Sequence, residues 1–115
     1  MAVDLSIIVP VYNEEKTIER VLRKLVSMDY GVKFEIIVVN DGSTDRTGQI
    51  LGELRLKNMT VVNNEKNMGK GYSIKKGVEM AKGKFIIIQD ADLEYDPQDI
   101  RKLITKAEEG FDLMI

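Results

Sequence analysis

Apolar residues fall along this chain in short dense runs, each followed by a polar cluster and then by a stretch with helical spacing. Leu5 to Val11 (LSIIVPV), Phe34 to Val39 (FEIIVV), Met59 to Val62 and Phe85 to Ile88 are compact, β-branched runs of strand length. Between them, Ile18, Val21, Leu22 and Leu25 recur on one helical face with Glu15, Lys16, Glu19, Arg23 and Lys24 opposite, and this segment ends by Gly31. A second helix is expected from Arg46 to about Leu56 with Ile50, Leu51 and Leu54 inward. A third is expected over Tyr72 to Ala81, burying Ile74, Val78 and Ala81, and a fourth from Pro97 to about Glu109, with Gly110 as its stop and a strand opening at Phe111. Strand and helix thus alternate four times, which specifies an α/β, Rossmann-like fold: a mainly parallel sheet with helices on both faces. Pro10 cannot donate a ladder hydrogen bond, so regular pairing should fade there.

The polar clusters sit where such a sheet binds ligands, at the carboxyl ends of its strands. After the first strand comes Pro10-Val11-Tyr12-Asn13-Glu14, after the second Asn40-Asp41-Gly42-Ser43-Thr44-Asp45, and after the fourth Gln89-Asp90-Ala91-Asp92. Strands one, two and four are expected side by side around the point where the strand order reverses, which makes three neighbouring clusters one cleft. Asp90, Asp92, Glu94, Asp96 and Asp99 place five carboxylates in ten residues, with no Lys or Arg between Phe85 and Ile100. Asp96 and Asp99 are accounted for by the start of the fourth helix, where Asp96-Pro97 is a capping pair. Asp90 and Asp92, two residues apart after a buried strand, project the same way if the extended geometry persists, and they repel unless a cation lies between them. Oxygen ligands suit magnesium or manganese, with open positions for phosphate.

Composition narrows the chemistry. The 115 residues suit one domain, with 43% hydrophobic and 31% charged residues. There is no Cys and no His, so a zinc site of thiolate or imidazole, a Cys nucleophile and a His base are all excluded. A formal charge of -2 carries no nucleic-acid footprint. No apolar run approaches the ~20 residues of a membrane span, and Met1 to Pro10 lacks the layout of a signal peptide. The chain is expected to be cytoplasmic, at the cytoplasmic face of a membrane in the full-length protein. Because it stops inside a strand, on Leu113-Met114-Ile115, residues 1–115 are read as the front part of a longer domain, with self-association expected through that exposed last strand.

Two phosphate motifs fail on spacing. Gly69-Lys70-Gly71 resembles part of a P-loop, but Asn64 stands where its first glycine belongs, and Ile74 stands where a dinucleotide fingerprint needs Gly or Ala. A loop carrying Lys66 and Lys70 can still meet a phosphate, or simply be solvated.

Taken in order, Pro10-Val11-Tyr12-Asn13-Glu14, Asn40-Asp41-Gly42-Ser43-Thr44-Asp45, Asn67-Met68-Gly69-Lys70-Gly71 and Gln89-Asp90-Ala91-Asp92-Leu93-Glu94 resemble the inverting GT-A-fold glycosyltransferases of the large second family. Within it the chain is most similar to the polyprenyl-phosphate (dolichol-phosphate type) mannosyl- and glucosyltransferases, from about residue 4 to residue 115. The resemblance implies a hexosyltransferase whose donor is a UDP- or GDP-sugar and whose acceptor is a polyprenyl or dolichyl phosphate. It implies that Asp90 and Asp92 form the D-x-D pair, with Asp92 the ligand of a divalent cation, Mg or Mn, bridging the diphosphate. It makes Pro10, Tyr12, Glu14, Asp41, Lys70, Asp90 and Ala91 the nucleotide-sugar-binding set, with Asp41 at the base edge, Tyr12 on the base and Glu14 near the ribose. The acceptor site, and a base where one is needed, are implied beyond the position of Ile115; a phosphate acceptor, largely ionised near neutral pH, does not call for one.

Other readings of these residues remain. Tyr12 also suits a core aromatic, Glu14 a helix-start acid and Asp45 a cap or turn residue. The whole chain can also be read as a non-catalytic nucleotide-binding module. A sugar-nucleotidyltransferase would carry a Gly-rich basic loop where Tyr12-Asn13-Glu14 stands, and a phospho-accepting receiver would need an acidic pair after the first strand.

Overall fold

The computed structural model describes residues 2–91; Asp92, the helix expected over 97–109 and the strand expected over 111–115 lie outside the described residues. The elements run β1 (Leu5–Val11), α1 (Ile18–Ser27), β2 (Phe34–Asn40), α2 (Thr47–Glu53), β3 (Met59–Asn63), α3 (Lys70–Met80) and β4 (Phe85–Ile88). The sheet has the order β3-β2-β1-β4, and all its neighbours are parallel. The chain steps outward from β1 to β2 to β3, then crosses back to place β4 on the other side of β1. The order therefore reverses beside β1, and the crevice it opens lies at the carboxyl ends of β1 and β4.

Side-chain alternation along β1 divides the core. Leu5, Ile7, Val9 and Val11 face α1 and α2 and pack with Ile18, Leu22, Leu25, Ile36, Val38, Leu51 and Ile87. Ile8 faces the other way and packs with Ile37 and Val39 beneath α3. Register keeps the apolar positions level, with Val9 opposite Val38 and Ile7 opposite Ile87. Pairing with β2 continues past Pro10 to Val11, whereas pairing with β4 stops at Ile8, whose carbonyl accepts the Gln89 N–H at 2.8 Å. Backbone groups alternate sides along a strand, so the N–H that Pro10 lacks is the one that would have reached toward β4. The expected fading of the ladder is thus confined to the β4 side, where it opens the crevice.

Three helix expectations need correction. The α2 helix is shorter than Arg46–Leu56, because Leu54 turns extended and the Arg55 guanidinium caps the carbonyls of Gly52 and Leu54. The α1 helix ends at Ser27, and Tyr30 then folds back to donate its hydroxyl to the Leu25 carbonyl. The α3 helix starts at Lys70, and it buries Ser73 and Gly77; Ile74 and Ala81 are half-buried and Val78 is 40% exposed. The reason is close approach: a Cβ on Gly77 would stand 2.5 Å from Ile8 Cγ2, so the helix lies flat on the sheet along its 73/77 line instead of along its apolar residues. β4 buries Ile87 and leaves Ile86 exposed.

Candidate functional site

The first polar tip is held by the second. Asn13, in the left-handed region at φ 52, accepts the backbone N–H of Thr44 at 2.8 Å and of Asp45 at 3.3 Å through its side-chain oxygen. Its own N–H donates to Ser43 Oγ at 3.0 Å, and the next N–H, that of Glu14, donates to the buried Thr47 Oγ1 at 2.9 Å. Left-handed backbone is tolerated at Asn better than at most residues, and here it turns the chain so that Tyr12 and Glu14 face the crevice. Asp45 accepts the Thr47 N–H at 2.9 Å and the Glu15 N–H at 3.3 Å, which is the turn role expected of it. Thr17 ties in the third tip, donating to the Ala91 carbonyl at 2.9 Å.

The fourth wall is the loop that opens α3. The Asp41 carboxylate, 4% exposed, accepts the N–H of Met68 at 2.7 Å, the N–H of Gly69 at 3.0 Å and the Asn64 amide at 2.9 Å. Burial by itself pushes this carboxyl up, but the donors Met68, Asn64, Gly69 and Ser73 outweigh it and hold its pKa below the ordinary aspartate value. Most of the acceptor capacity of Asp41 is therefore spent on the loop. Gly42 makes the same contact sterically, because a Cβ there would stand 2.3 Å from the Lys66 backbone carbon.

These walls enclose a cavity of about 390 Å³. Pro10, Tyr12, Glu14, Asp41, Lys70, Asp90 and Ala91 all line it, so the structure brings together every expected nucleotide-sugar residue; Asp92 lies outside the described residues. Tyr12, 43% exposed, is a wall of the cavity and not a core aromatic. Among the described residues, Val11, Asn67, Gly69 and Ser73 also line it. Asn64 was missed altogether: it is buried, and it donates to Asp41 and Ser73 while accepting from Lys76. Its only signal was a polar residue directly after a strand.

At the rim, the Lys70 ammonium lies 2.5 Å from Asp90 Oδ1, with 32% of the Asp90 side chain exposed. Among the described residues, no three acidic side chains gather closely enough to hold an ion. Asp90 supplies one oxygen donor of the kind a hard cation takes at the cavity mouth, and the Lys70 ammonium stands against it.

A family model described as "Glycosyl transferase family 2" matches residues 6–115. The chain belongs to glycosyltransferase family 2. This family 2 chain is 37% identical over 118 residues to an uncharacterized glycosyltransferase of Synechocystis, which it covers to 37% of that protein's length. It is 32% identical over 115 residues to the undecaprenyl-phosphate 4-deoxy-4-formamido-L-arabinose transferase of Edwardsiella ictaluri, covering 96% of this chain and 35% of that one. Among solved structures it superposes on Staphylococcus aureus TarS 1–349 in complex with UDP-GlcNAc with a TM-score of 0.77 at 33% identity, over 92% of this chain and 31% of that one. The mannosyltransferase PcManGT of Pyrobaculum calidifontis, in complex with GDP-Man and Mn2+, gives a TM-score of 0.73 at 26% identity, over 90% of this chain and 32% of that one. These are GT-A glycosyltransferases, the fold expected from the motifs. The family 2 chain thus spans about a third of the length of the curated relatives it matches. No helix among its described residues is long and apolar enough to cross a membrane.

Proposed function

We propose that this chain is the donor-binding part of a metal-dependent hexosyltransferase that moves a sugar from a nucleoside diphosphate to a polyprenyl phosphate. The observation that carries the reading is the meeting of seven expected residues from four chain segments in one cavity at the reversal point of the sheet. Relatives named for undecaprenyl phosphate support the acceptor class, and a structural neighbour with GDP-Man and Mn2+ supports the cation.

In this reading Tyr12 packs on the base and Pro10 shapes the floor beneath it, while Asp41 stands at the base edge and fixes the loop that closes over it. Glu14 accepts from the ribose hydroxyls. Lys70 meets the diphosphate, and Asp90 and Asp92 hold the cation. When bound, a divalent ion supplies Lewis-acid stabilisation of the charge that grows on the departing diphosphate. The protein groups orient the donor so that the anomeric carbon is open on the side opposite that leaving group, as inversion requires. The phosphate acceptor attacks already ionised.

Calorimetric titration of the chain with UDP and GDP, with and without manganese, tests this. The expected result is binding of one of the two that needs the metal; no binding of either under both conditions overturns the reading.

A further inference from the structure

Lys70 and Asp90 meet at the cavity rim from different elements, the first residue of α3 and the tip of β4. The Lys70 side chain is 60% exposed, so its four-carbon stem has room to move without disturbing the core. Gly69, at φ 101, sets the backbone turn that leads into Lys70, and its N–H is pinned by Asp41, so the base of the side chain is fixed at the cavity wall.

An ammonium held against Asp90 Oδ1 repels a divalent ion approaching the same carboxylate and weakens its binding there. A diphosphate entering the cavity offers the ammonium a denser negative charge than one carboxylate does.

We propose that Lys70 is an exchangeable counter-ion: it neutralises Asp90 before the donor arrives, then transfers to the diphosphate and so makes cation binding at Asp90 conditional on the donor. The inference rests on the donor-site reading above and deepens it, giving a mechanism for coupling the two ligands. Coupling of this kind is reciprocal, so the cation favours the nucleotide by the same factor as the nucleotide favours the cation.

The test uses Lys70→Met and Lys70→Arg in the whole chain. Free Mn2+ binding is followed by electron paramagnetic resonance, and UDP or GDP binding at saturating Mn2+ by calorimetry. Lys70→Met is expected to bind Mn2+ alone about two- to fivefold more tightly, the worth of an exposed ion pair. It is expected to bind the nucleoside diphosphate about tenfold or more weakly, the worth of a charge-assisted hydrogen bond. Lys70→Arg keeps the charge and should move both affinities back from the Lys70→Met values toward wild type. Opposite signs for the two ligands distinguish exchange from damage to α3, which weakens both. If wild type binds the manganese nucleotide while Lys70→Met leaves Mn2+ affinity unchanged or lower, the exchange is overturned and the donor site stands. If wild type binds no nucleotide, both fall.

Discussion

The carboxylate of Asp41, at the tip of β2, accepts the backbone N–H of Gly69, the residue just before α3, at 3.0 Å. With the Met68 N–H on its other oxygen, this acid holds the fourth wall of the cavity in place before any ligand arrives. Asp41→Asn keeps the shape but puts an NH2 group against at least one of the N–H donors of Met68, Asn64 and Gly69. The expected cost is about 1–3 kcal/mol of stability, with faster amide exchange at Met68 and Gly69. Unchanged exchange at those two amides would show that the loop does not depend on Asp41.

Acid should unfold the chain through the same contacts. Asp41 is held below its ordinary value, with burial opposing and the Met68, Asn64, Gly69 and Ser73 donors prevailing; Asp45 is held below it in the same way, chiefly by Thr47. A depressed folded-state pKa contributes stability that is fully present above the unfolded value, about 3.9, and is lost as pH falls through the folded value. With no His in the chain, stability should be flat from pH 6 to pH 8 as far as imidazole is concerned, and should fall below about pH 4. Urea unfolding at pH 7 and pH 3 reads this, and Asp41→Asn should lose less between the two.

Gly42 combines φ 66 with backbone contact to the Lys66–Asn67 segment. Gly42→Ala must strain its own backbone by about 1–2 kcal/mol and also push the loop away. We expect a lower melting temperature and weaker nucleotide binding together. Full binding with a lower melting temperature would show that the loop position is unimportant to the donor.

Asp92 follows the tip of β4 by sequence and is the cation ligand proposed from the D-x-D pattern. Asp92→Ala should abolish metal-dependent binding of the nucleoside diphosphate and leave the unfolding midpoint near wild type. Unchanged affinity in manganese titrations would remove Asp92 from the site.

Much of this was legible from residue pattern. The four described strands lie within one residue of the expected bounds, because short β-branched runs set between turn residues favour extended backbone. The cavity residues Pro10, Tyr12, Asp41 and Asp90 were legible because they lie at or just past the carboxyl ends of those runs, and a parallel sheet puts such positions on one edge. The inward face of α3 was not legible, since Ser73 and Gly77 carry no apolar signal; Gly77 is buried against Ile8 and Val39 of the sheet, and Ser73 accepts from the buried Asn64 amide.

By itself the order of apolar and polar residues determined a parallel α/β sheet and the strand ends that carry its chemistry, because periodicity and turn residues are local properties. Only the tertiary structure decided that Asn13 grips the 43–45 turn, that Asn64 and Asp41 share a loop and that Lys70 meets Asp90. Those pairings join residues 20 to 32 positions apart; the parallel pairing of β1 with β2 and of β2 with β3 joins the first two, and the crossover through α3 to β4 joins the last.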